Sequence, residues 1–349
     1  MKIALINDTH FGIRNDSSFF LEQSLKYFET QFFPEIEKRG ISTIIHLGDF
    51  FDRRKYINFN TLKQVRKRFL ERIEQHYKFH IIIGNHDTYF KNTNEVNALK
   101  ELFRGYDNIV LHDEPTEVQF EELSVSFIPW INDSNLTEYT KYIAETNSSV
   151  LMGHLEIEGF EVISGVNSPV GIKRNIFDKF EMVLSGHFHI KQSKRNIHYL
   201  GAQYQLNFGD TGVIKGFHIL DTETRELEFI ENTNRLFNVI RYDDTVITEE
   251  ILEDDFSKLQ GTFVKVLVQT KNKPLLFDKF MEKLYNVDTQ ELTITIIDDF
   301  GEKQENKSID ITEDTLSIIN KEIDLLENDL NKTKLKLTVK DLYMEALTL

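Results

Sequence analysis

Short apolar runs recur along the first half of the chain, and each ends at a cluster of polar residues. Residues 3–6 run into Asp8, 43–47 into Gly48-Asp49, and 81–83 into Gly84-Asn85-His86-Asp87. Residues 150–152 run into Gly153-His154, and 182–184 into Gly186-His187-Phe188-His189. Apolar, β-branched runs of this length, closed by turns, read as buried strands. Helical patterns lie between the first of them. Ser17 or Ser18 can cap a helix whose apolar face includes Leu21, Leu25, Phe28, Phe32 and Ile36, and Gly40 ends it. A second helix carries Leu62, Val65, Phe69 and Ile73, and a third Val96, Leu99 and Leu102. Strand–helix alternation predicts right-handed βαβ units. In such sheets ligands sit beyond the carboxyl ends of the strands, where all of these polar clusters fall.

The pattern changes in the second half. Residues 243–255 hold seven acids and no base. A strand over 262–268, a helix over 276–285 and a strand over 292–297 predict a small α/β unit within 236–300. From Thr312 the spacing turns helical. Leu316, Ile319, Ile323, Leu326 and Leu330 alternate by three and four, an apolar stripe with Glu and Lys elsewhere. No repeat at a solenoid period and no low-complexity tract interrupts the chain.

Composition narrows the classes. A length of 349 residues favours two domains. With 40% hydrophobic and 28% charged residues, the chain can bury a sizeable core. The absence of cysteine excludes disulfides, thiolate metal sites and thiol nucleophiles. The N-terminal apolar run is too short for a signal peptide, and no run approaches the ~20 residues of a membrane span. The expectation is a soluble, cytoplasmic protein with no membrane partner. A formal charge of −16 argues against a polyanionic partner. Residues 53–78 are the local exception, with nine bases and two acids. They either contact several phosphates or form a solvated helix face. Arg53, Arg54 and Lys55 are the first candidates for phosphate contact, because they follow the Asp49 cluster directly.

The polar clusters share one chemistry. Asp8 and His10 form D-x-H, Asp49 lies in G-D-F-F-D, Asn85, His86 and Asp87 form G-N-H-D, His154 follows a glycine, and His187 and His189 form G-H-x-H. Carboxylate, imidazole and amide oxygen together suit Mn²⁺, Fe²⁺ or Zn²⁺. Seven candidate ligands exceed one tetrahedral zinc and suit two ions about 3.5–4 Å apart, the spacing that clamps a phosphoryl group. His46, His76, His80, His112, His198 and His218 fall outside the set and are assigned to surface, core or loop roles.

The ordered set resembles the calcineurin-like metallophosphoesterase superfamily over roughly residues 1–232. Within it, G-D-F-F-D-R-R-K, G-N-H-D-T-Y-F-K-N, the I-P-W at Ile128–Trp130, G-H-L-E-I-E-G-F from Gly153, S-G-H-F-H from Ser185 and Y-L-G-A from Tyr199 are similar to the SbcD-type nuclease subunits of recombination complexes, above all those of tailed bacteriophages.

The resemblance implies a four-layer α/β/β/α sandwich over residues 1–235, a small α/β DNA-capping domain over 236–305 and a helical segment over 306–349. It implies one ion held by Asp8, His10, Asp49 and His189, with Asp49 bridging to a second held by Asn85, His154 and His187. Mn²⁺ is the leading candidate, with Mg²⁺, Fe²⁺ and Zn²⁺ as alternatives. His86 would steady the transition state or protonate the leaving oxygen. Asp87 would hold the His86 ring or simply form the turn.

Many cellular members of the resembled family carry a histidine where this chain has Asp52. That carboxylate cannot meet a phosphate as a cation, so its expected task is to orient a ligand or Arg53. The Tyr199–Ala202 stretch also lacks the family's usual Ser/Thr and Pro. The implied activity is 3′→5′ exonuclease and endonuclease cleavage of duplex DNA. The implied partners are an SbcC-type coiled-coil ATPase, docked on the stripe from Leu316 to Leu330, and a second copy of the chain, packed through helices near residues 62–73 and 96–103. A small-substrate phosphodiesterase or phosphatase and a catalytically dead scaffold are the competing readings.

Overall fold

Alternation along the strands decides the architecture. In β1 (Lys2–Ile6), Ala4 and Ile6 enter one apolar cluster and Ile3 and Leu5 another. β2 (Thr43–His46) divides Ile44 from Ile45 in the same way, and β3 (Lys78–Ile82) divides Phe79 and Ile81 from Ile82. A strand with two apolar faces must be covered on both. β4 (Ile109–His112) continues this parallel run.

β5 (Thr116–Phe120), β6 (Leu123–Ile128) and β7 (Val150–His154) begin a second sheet. β8 (Glu161–Ile163) and β9 (Val166–Asn167) form a separate small hairpin. β10 (Met182–Gly186), β11 (Gln192–Lys194) and β12 (Ile197–Tyr199) complete the second sheet, in the order β11-β12-β10-β7-β6-β5. β13 (Gly216–Asp221) and β14 (Leu227–Glu231) return to the first as an antiparallel edge, giving β14-β13-β1-β2-β3-β4.

The two sheets share the cluster of Ile3, Leu5, Ile45, Val125, Phe127, Met152 and Leu184. On the outer face of the first sheet lies a helical run of Ser18–Tyr27, a π turn at Phe28–Phe32 and Phe33–Lys38. Gly40, at φ 66°, closes it, with Ile41 N–H donating to the Ile36 carbonyl at 2.9 Å. A second run over residues 59–76 packs Val65, Phe69 and Ile73 into the same core. The helix Leu136–Glu145 covers the other face of the second sheet with Tyr139 and Ile143. The fold is therefore the expected four-layer α/β/β/α sandwich.

The computed structural model describes residues 1–296 and positions 323, 332, 335, 336 and 339. The chain forms two compact units, Met1–Thr295 and Ile296–Leu349. The first also holds a three-stranded sheet of β15 (Phe237–Asp243), β16 (Phe263–Thr270) and β17 (Glu291–Ile296). Helix Pro274–Tyr285 packs Phe277, Phe280 and Leu284 against Tyr242, Val264 and Val266. Of the apolar stripe, Ile323 is helical and buried, whereas Leu316, Ile319, Leu326 and Leu330 lie outside the described residues. Among the described residues no helix is long and apolar enough to cross a membrane.

One expectation needs correction. The third helix begins only at Ala98, and Val96 precedes it, 45% exposed, because the backbone there pairs with Tyr89 instead. The apolar faces of the two helical runs near residues 62–73 and 96–103 serve the chain's own core, where Val65, Phe69, Ile73 and Leu99 are buried.

His80 and His112 face each other in the interior, Nδ1 to Nε2 at 3.0 Å, with His112 stacked 4.2 Å from Phe127. Burial pushes His80 down to about 4 and His112 to about 3. Both titrate near the ordinary 6.5 once unfolded. The neutral pair therefore stabilises the fold above that pH, and this is lost as pH falls toward the folded values. Between about pH 7.5 and about pH 5.5 the loss is about 1.4 kcal/mol per histidine. Denaturant titration should show the parent losing about 3 kcal/mol more over that interval than a His80→Gln/His112→Gln variant.

Candidate metal centre

Five strand ends from two sheets meet at one place. β1, β2 and β3 deliver Asp8, Asp49 and Asn85, and β7 and β10 deliver His154 and His187. Pairing continues past the strands. Asp8 N–H donates to the Gly48 carbonyl at 2.9 Å, His10 N–H to Asp49 at 3.1 Å and Phe11 N–H to Phe50 at 3.0 Å. The loops are packed so closely that a Cβ on Gly84 would lie 2.2 Å from Asp49 Oδ1. Asp8, His10, Asp49 and His187 hold φ of 48°, 42°, 58° and 91°. Such left-handed geometry costs of order 1–3 kcal/mol per residue and persists only where the surroundings impose it.

The side chains converge in two sets. In one, His10 Nε2 and His189 Nε2 lie 3.1 Å apart, and each is about 4 Å from Asp8 Oδ1, at 3.9 and 4.0 Å. In the other, Asn85 Oδ1 lies 2.9 Å from both His154 Nε2 and His187 Nδ1. Asp49 Oδ2 faces both sets, 3.7 Å from His10 Nε2 and 3.4 Å from His154 Nε2. Asp8–His10–His189 and Asp49–His154–His187 each bring their donor atoms close enough to hold one ion.

The electrostatics ask for a cation. Asp8, Asp49, His10 and His154 are all buried. Burial pushes the Asp8 carboxyl up. It acts the same way on Asp49, but His154, His86 and His10 overcome it and hold Asp49 well below the usual range. Burial would lower His10 and His154, yet neighbouring acids, led by Asp52 at His10 and Asp49 at His154, raise each to about 9. The carboxylates thus draw positive charge into the pocket, as a proton or a metal ion. His187 and His189 are pushed down, first by burial and then by the other histidines, so they remain neutral donors. His154 Nδ1 donates to the Leu47 carbonyl at 2.7 Å, which turns Nε2 toward Asn85 and Asp49 as the atom that could meet an ion. Buried nitrogen and oxygen donors facing each other at 2.9–3.1 Å fit divalent ions.

The remaining residues divide. His86 sits at the rim, its backbone N–H on Asp49 Oδ1 at 2.7 Å and its ring Nδ1 on the Asp52 carbonyl at 2.5 Å. A carbonyl only accepts, so Nδ1 carries the proton and Nε2 is left for other work. The Asp52 carboxylate lies 3.3 Å from His10 Nδ1, off the line of a hydrogen bond, while Arg53 turns away to Asp16 at 3.3 Å.

Asp87 corrects an expectation: it does not hold the His86 ring. Its carboxylate accepts from the backbone N–H of Asp49 and Gly84 at 2.9 Å, Phe50 at 3.0 Å and Phe51 at 3.4 Å. Burial and the Asp49 charge raise it to about 7 against those four donors.

The basic strip is also less available than its charge suggests. Arg68 pairs with Glu22 and Glu29, and Arg72 with Glu37. Arg54 donates to Thr88 Oγ1 at 3.0 Å, and Lys55 is exposed.

Two participants were not singled out as site residues from the sequence. Trp130 lies 5.1 Å from the His187 ring and 5.9 Å from His154, walling the second set. Its only sequence signal was the I-P-W triplet. Lys215 is completely buried, donating to the His189 carbonyl at 2.7 Å and to Asp210 Oδ1 at 2.6 Å. It therefore fixes the His189 loop from behind, and no motif marks it.

Replacing Asp87 should be a stability lesion before it is a chemical one. Each buried N–H left without an acceptor costs roughly 1–3 kcal/mol. Asp87→Ala should therefore lower the unfolding free energy by several kcal/mol, and Asp87→Asn, which keeps one oxygen, by distinctly less. Denaturant titration of both variants decides the matter.

Comparison with known proteins gives the same answer as the geometry. Residues 1–191 match the family described as calcineurin-like phosphoesterase. The chain is 30% identical over 318 residues to exonuclease subunit 1 of Enterobacteria phage T4, covering 89% of each. It is 26% identical to the SbcD subunit of the SbcCD nuclease from Staphylococcus epidermidis, covering 82% of this chain and 79% of that one. Among solved structures it is similar to an archaeal phosphodiesterase at 16% identity and a TM-score of 0.32, over 66% of this chain and 100% of that one. The chain belongs to the calcineurin-like phosphoesterase family and is a hydrolase of phosphodiester bonds.

Proposed function

We propose that this chain is a two-metal DNA nuclease, the catalytic subunit of an ATPase–nuclease complex that processes DNA ends in recombination, repair and replication. The observation that carries the reading is the pair of donor sets sharing Asp49 at the joint mouth of both sheets. Nuclease relatives that match most of this chain's length favour DNA over a small ester.

In this reading Asp8, His10, Asp49 and His189 hold one ion, and Asp49, Asn85, His154 and His187 a second. Two such ions, with Mn²⁺ the leading candidate, supply charge for the phosphate oxygens and make a nearby water more acidic. The chain's own residues supply position and protons. The Asp52 carbonyl keeps the His86 proton on Nδ1, so Nε2 is the atom that takes a second proton, and with it can donate to a phosphate oxygen or pass it to the leaving sugar oxygen. The Asp52 carboxylate steadies His10 from its Nδ1 side. Exposed Lys55, with Arg54 beside it, contacts the DNA backbone. The substrate is duplex DNA with accessible ends, degraded 3′→5′ and also nicked internally. The complex is a homodimer working in the host-cell cytoplasm, with an SbcC-type coiled-coil ATPase docked on the stripe from Leu316 to Leu330.

Purified protein given Mn²⁺ and end-labelled duplex should release nucleotides. His86→Ala should slow release by about 10²–10⁴-fold while metal analysis still finds two ions per chain. Vigorous phosphomonoester hydrolysis with DNA left intact would overturn the reading.

A further inference from the structure

Two large aromatic side chains stand in water beside the metal centre. Tyr89 is 39% and Phe90 48% exposed, their rings edge to face at 4.7 Å. They follow G-N-H-D-T directly, and Phe90 is five residues from Asn85, so no more than about 18 Å of chain separates them. Their exposure is not fraying, because the loop is cross-braced. Tyr89 N–H donates to the Val96 carbonyl at 2.8 Å, and Ala98 N–H to Asp87 at 2.8 Å. The Asn94 amide donates to the carbonyl of Trp130 at 2.7 Å, and Trp130 walls the His187 ring. Thr88 Oγ1 donates to the Asn85 carbonyl at 3.0 Å and accepts from Arg54, tying this loop to the one that carries exposed Lys55. Lys91, also exposed, comes next in sequence.

We propose that Tyr89 and Phe90, flanked by Lys91 and Lys55, form a stacking platform for unpaired nucleobases of the strand that enters the metal centre. The inference rests on the nuclease reading and names the substrate feature it selects. Aromatic faces interleaved with cations match alternating bases and phosphates. The core of a protein–protein contact is instead depleted in lysine. Bases inside a duplex already stack on each other, so only a frayed end or single-stranded overhang presents a base to these rings.

The test compares the parent, Tyr89→Ala/Phe90→Ala and the aromatic swap Tyr89→Phe/Phe90→Tyr, each with Mn²⁺. Substrates are an overhang DNA, the same DNA with abasic sites in the overhang, and bis(p-nitrophenyl) phosphate, which needs the centre but has no base. The double alanine variant should raise KM for the overhang DNA about tenfold or more, the loss of about one stacked base. It should leave the small ester unchanged, and the swap should restore the parent value. Abasic sites should weaken the parent and not the alanine variant. An unchanged KM, or parallel loss on DNA and small ester, overturns the platform. So does sedimentation showing that the parent is a dimer and the alanine variant a monomer, because the face is then a contact between copies. A parent that cleaves the small ester but no DNA defeats the nuclease reading itself, and the platform with it.

Discussion

The Asp87 carboxylate joins two strand ends that the sheet alone does not join. One oxygen takes N–H groups from Asp49 and Gly84, and the other takes those of Phe50 and Phe51. The loops after β2 and β3 are thereby fixed to each other, and these loops carry Asp49, Asn85 and His86. Asp87 sits completely buried, where a carboxylate is costly unless its lone pairs are filled. Four converging donors fill them. The same convergence imposes the left-handed backbone of Asp49, which a free loop would relax away from. Rigidity at this point is a precondition for chemistry, because a misplaced ligand changes both ion affinity and substrate position.

Around that clamp the pocket is assembled from opposed tendencies. Burial pushes acids and imidazoles toward neutrality, while the proximity of Asp8, Asp49 and Asp52 to four histidines pulls charge back in. The outcome differs by position. His10 and His154, facing carboxylates, are raised. His187 and His189, facing other histidines, are lowered. A pocket of this kind favours added positive charge, carried by protons on His10 and His154 or by a divalent ion that takes their place. Lys215 contributes at one remove. Its ammonium, neutralised by Asp210, holds the His189 carbonyl without entering the ligand set.

Much of this was legible in the order of residues. An apolar run followed by Asp, Asn or Gly-His marks a strand end, and ends within one parallel sheet share its carboxyl edge. That the five ends come from two sheets, and that these stack as a four-layer sandwich, followed from the family resemblance those motifs carry and not from the alternation. What could not be read depends on partners distant in sequence. Asp87 resembled a residue serving its neighbour His86, yet its donors include three backbone groups from the preceding strand end. Arg68 and Arg72 counted as free charge, whereas Glu22, Glu29 and Glu37 on an earlier helical run neutralise them. The strip keeps exposed Lys63, Arg66 and Lys67, so its sign survives although its strength falls. Lys215 is one base among 41 and carries no local signal that it is buried. Short strands such as β11, at the sheet edge, and its neighbour β12, three residues each, offer too little alternation to detect.

The small α/β sheet meets the phosphoesterase core in a way that bears directly on the centre. Phe20 of the core stacks with Phe237 of β15 and Phe263 of β16, with ring planes 19–22° apart. The Arg14 guanidinium lies 5.0, 5.1 and 5.8 Å from the three ring centres, where even an exposed cation gains from the π faces. Arg14 belongs to a left-handed stretch with Gly12, Asn15 and Asp16, beginning two residues past His10. Asn15 and Asp16 in turn hold Arg53, the residue after Asp52, whose carboxylate faces His10. The backbone that carries His10 therefore also carries the anchor of the accessory sheet, and one ion pair returns the connection to the neighbouring loop. The φ near +55° at three consecutive non-glycine residues is costly for L side chains, and it is braced from the core side as well, by Asp16 N–H on the Gly12 carbonyl at 2.9 Å and Thr61 Oγ1 on Asp16 at 2.8 Å. The accessory sheet and the loop that carries His10 therefore share one short, strongly braced segment.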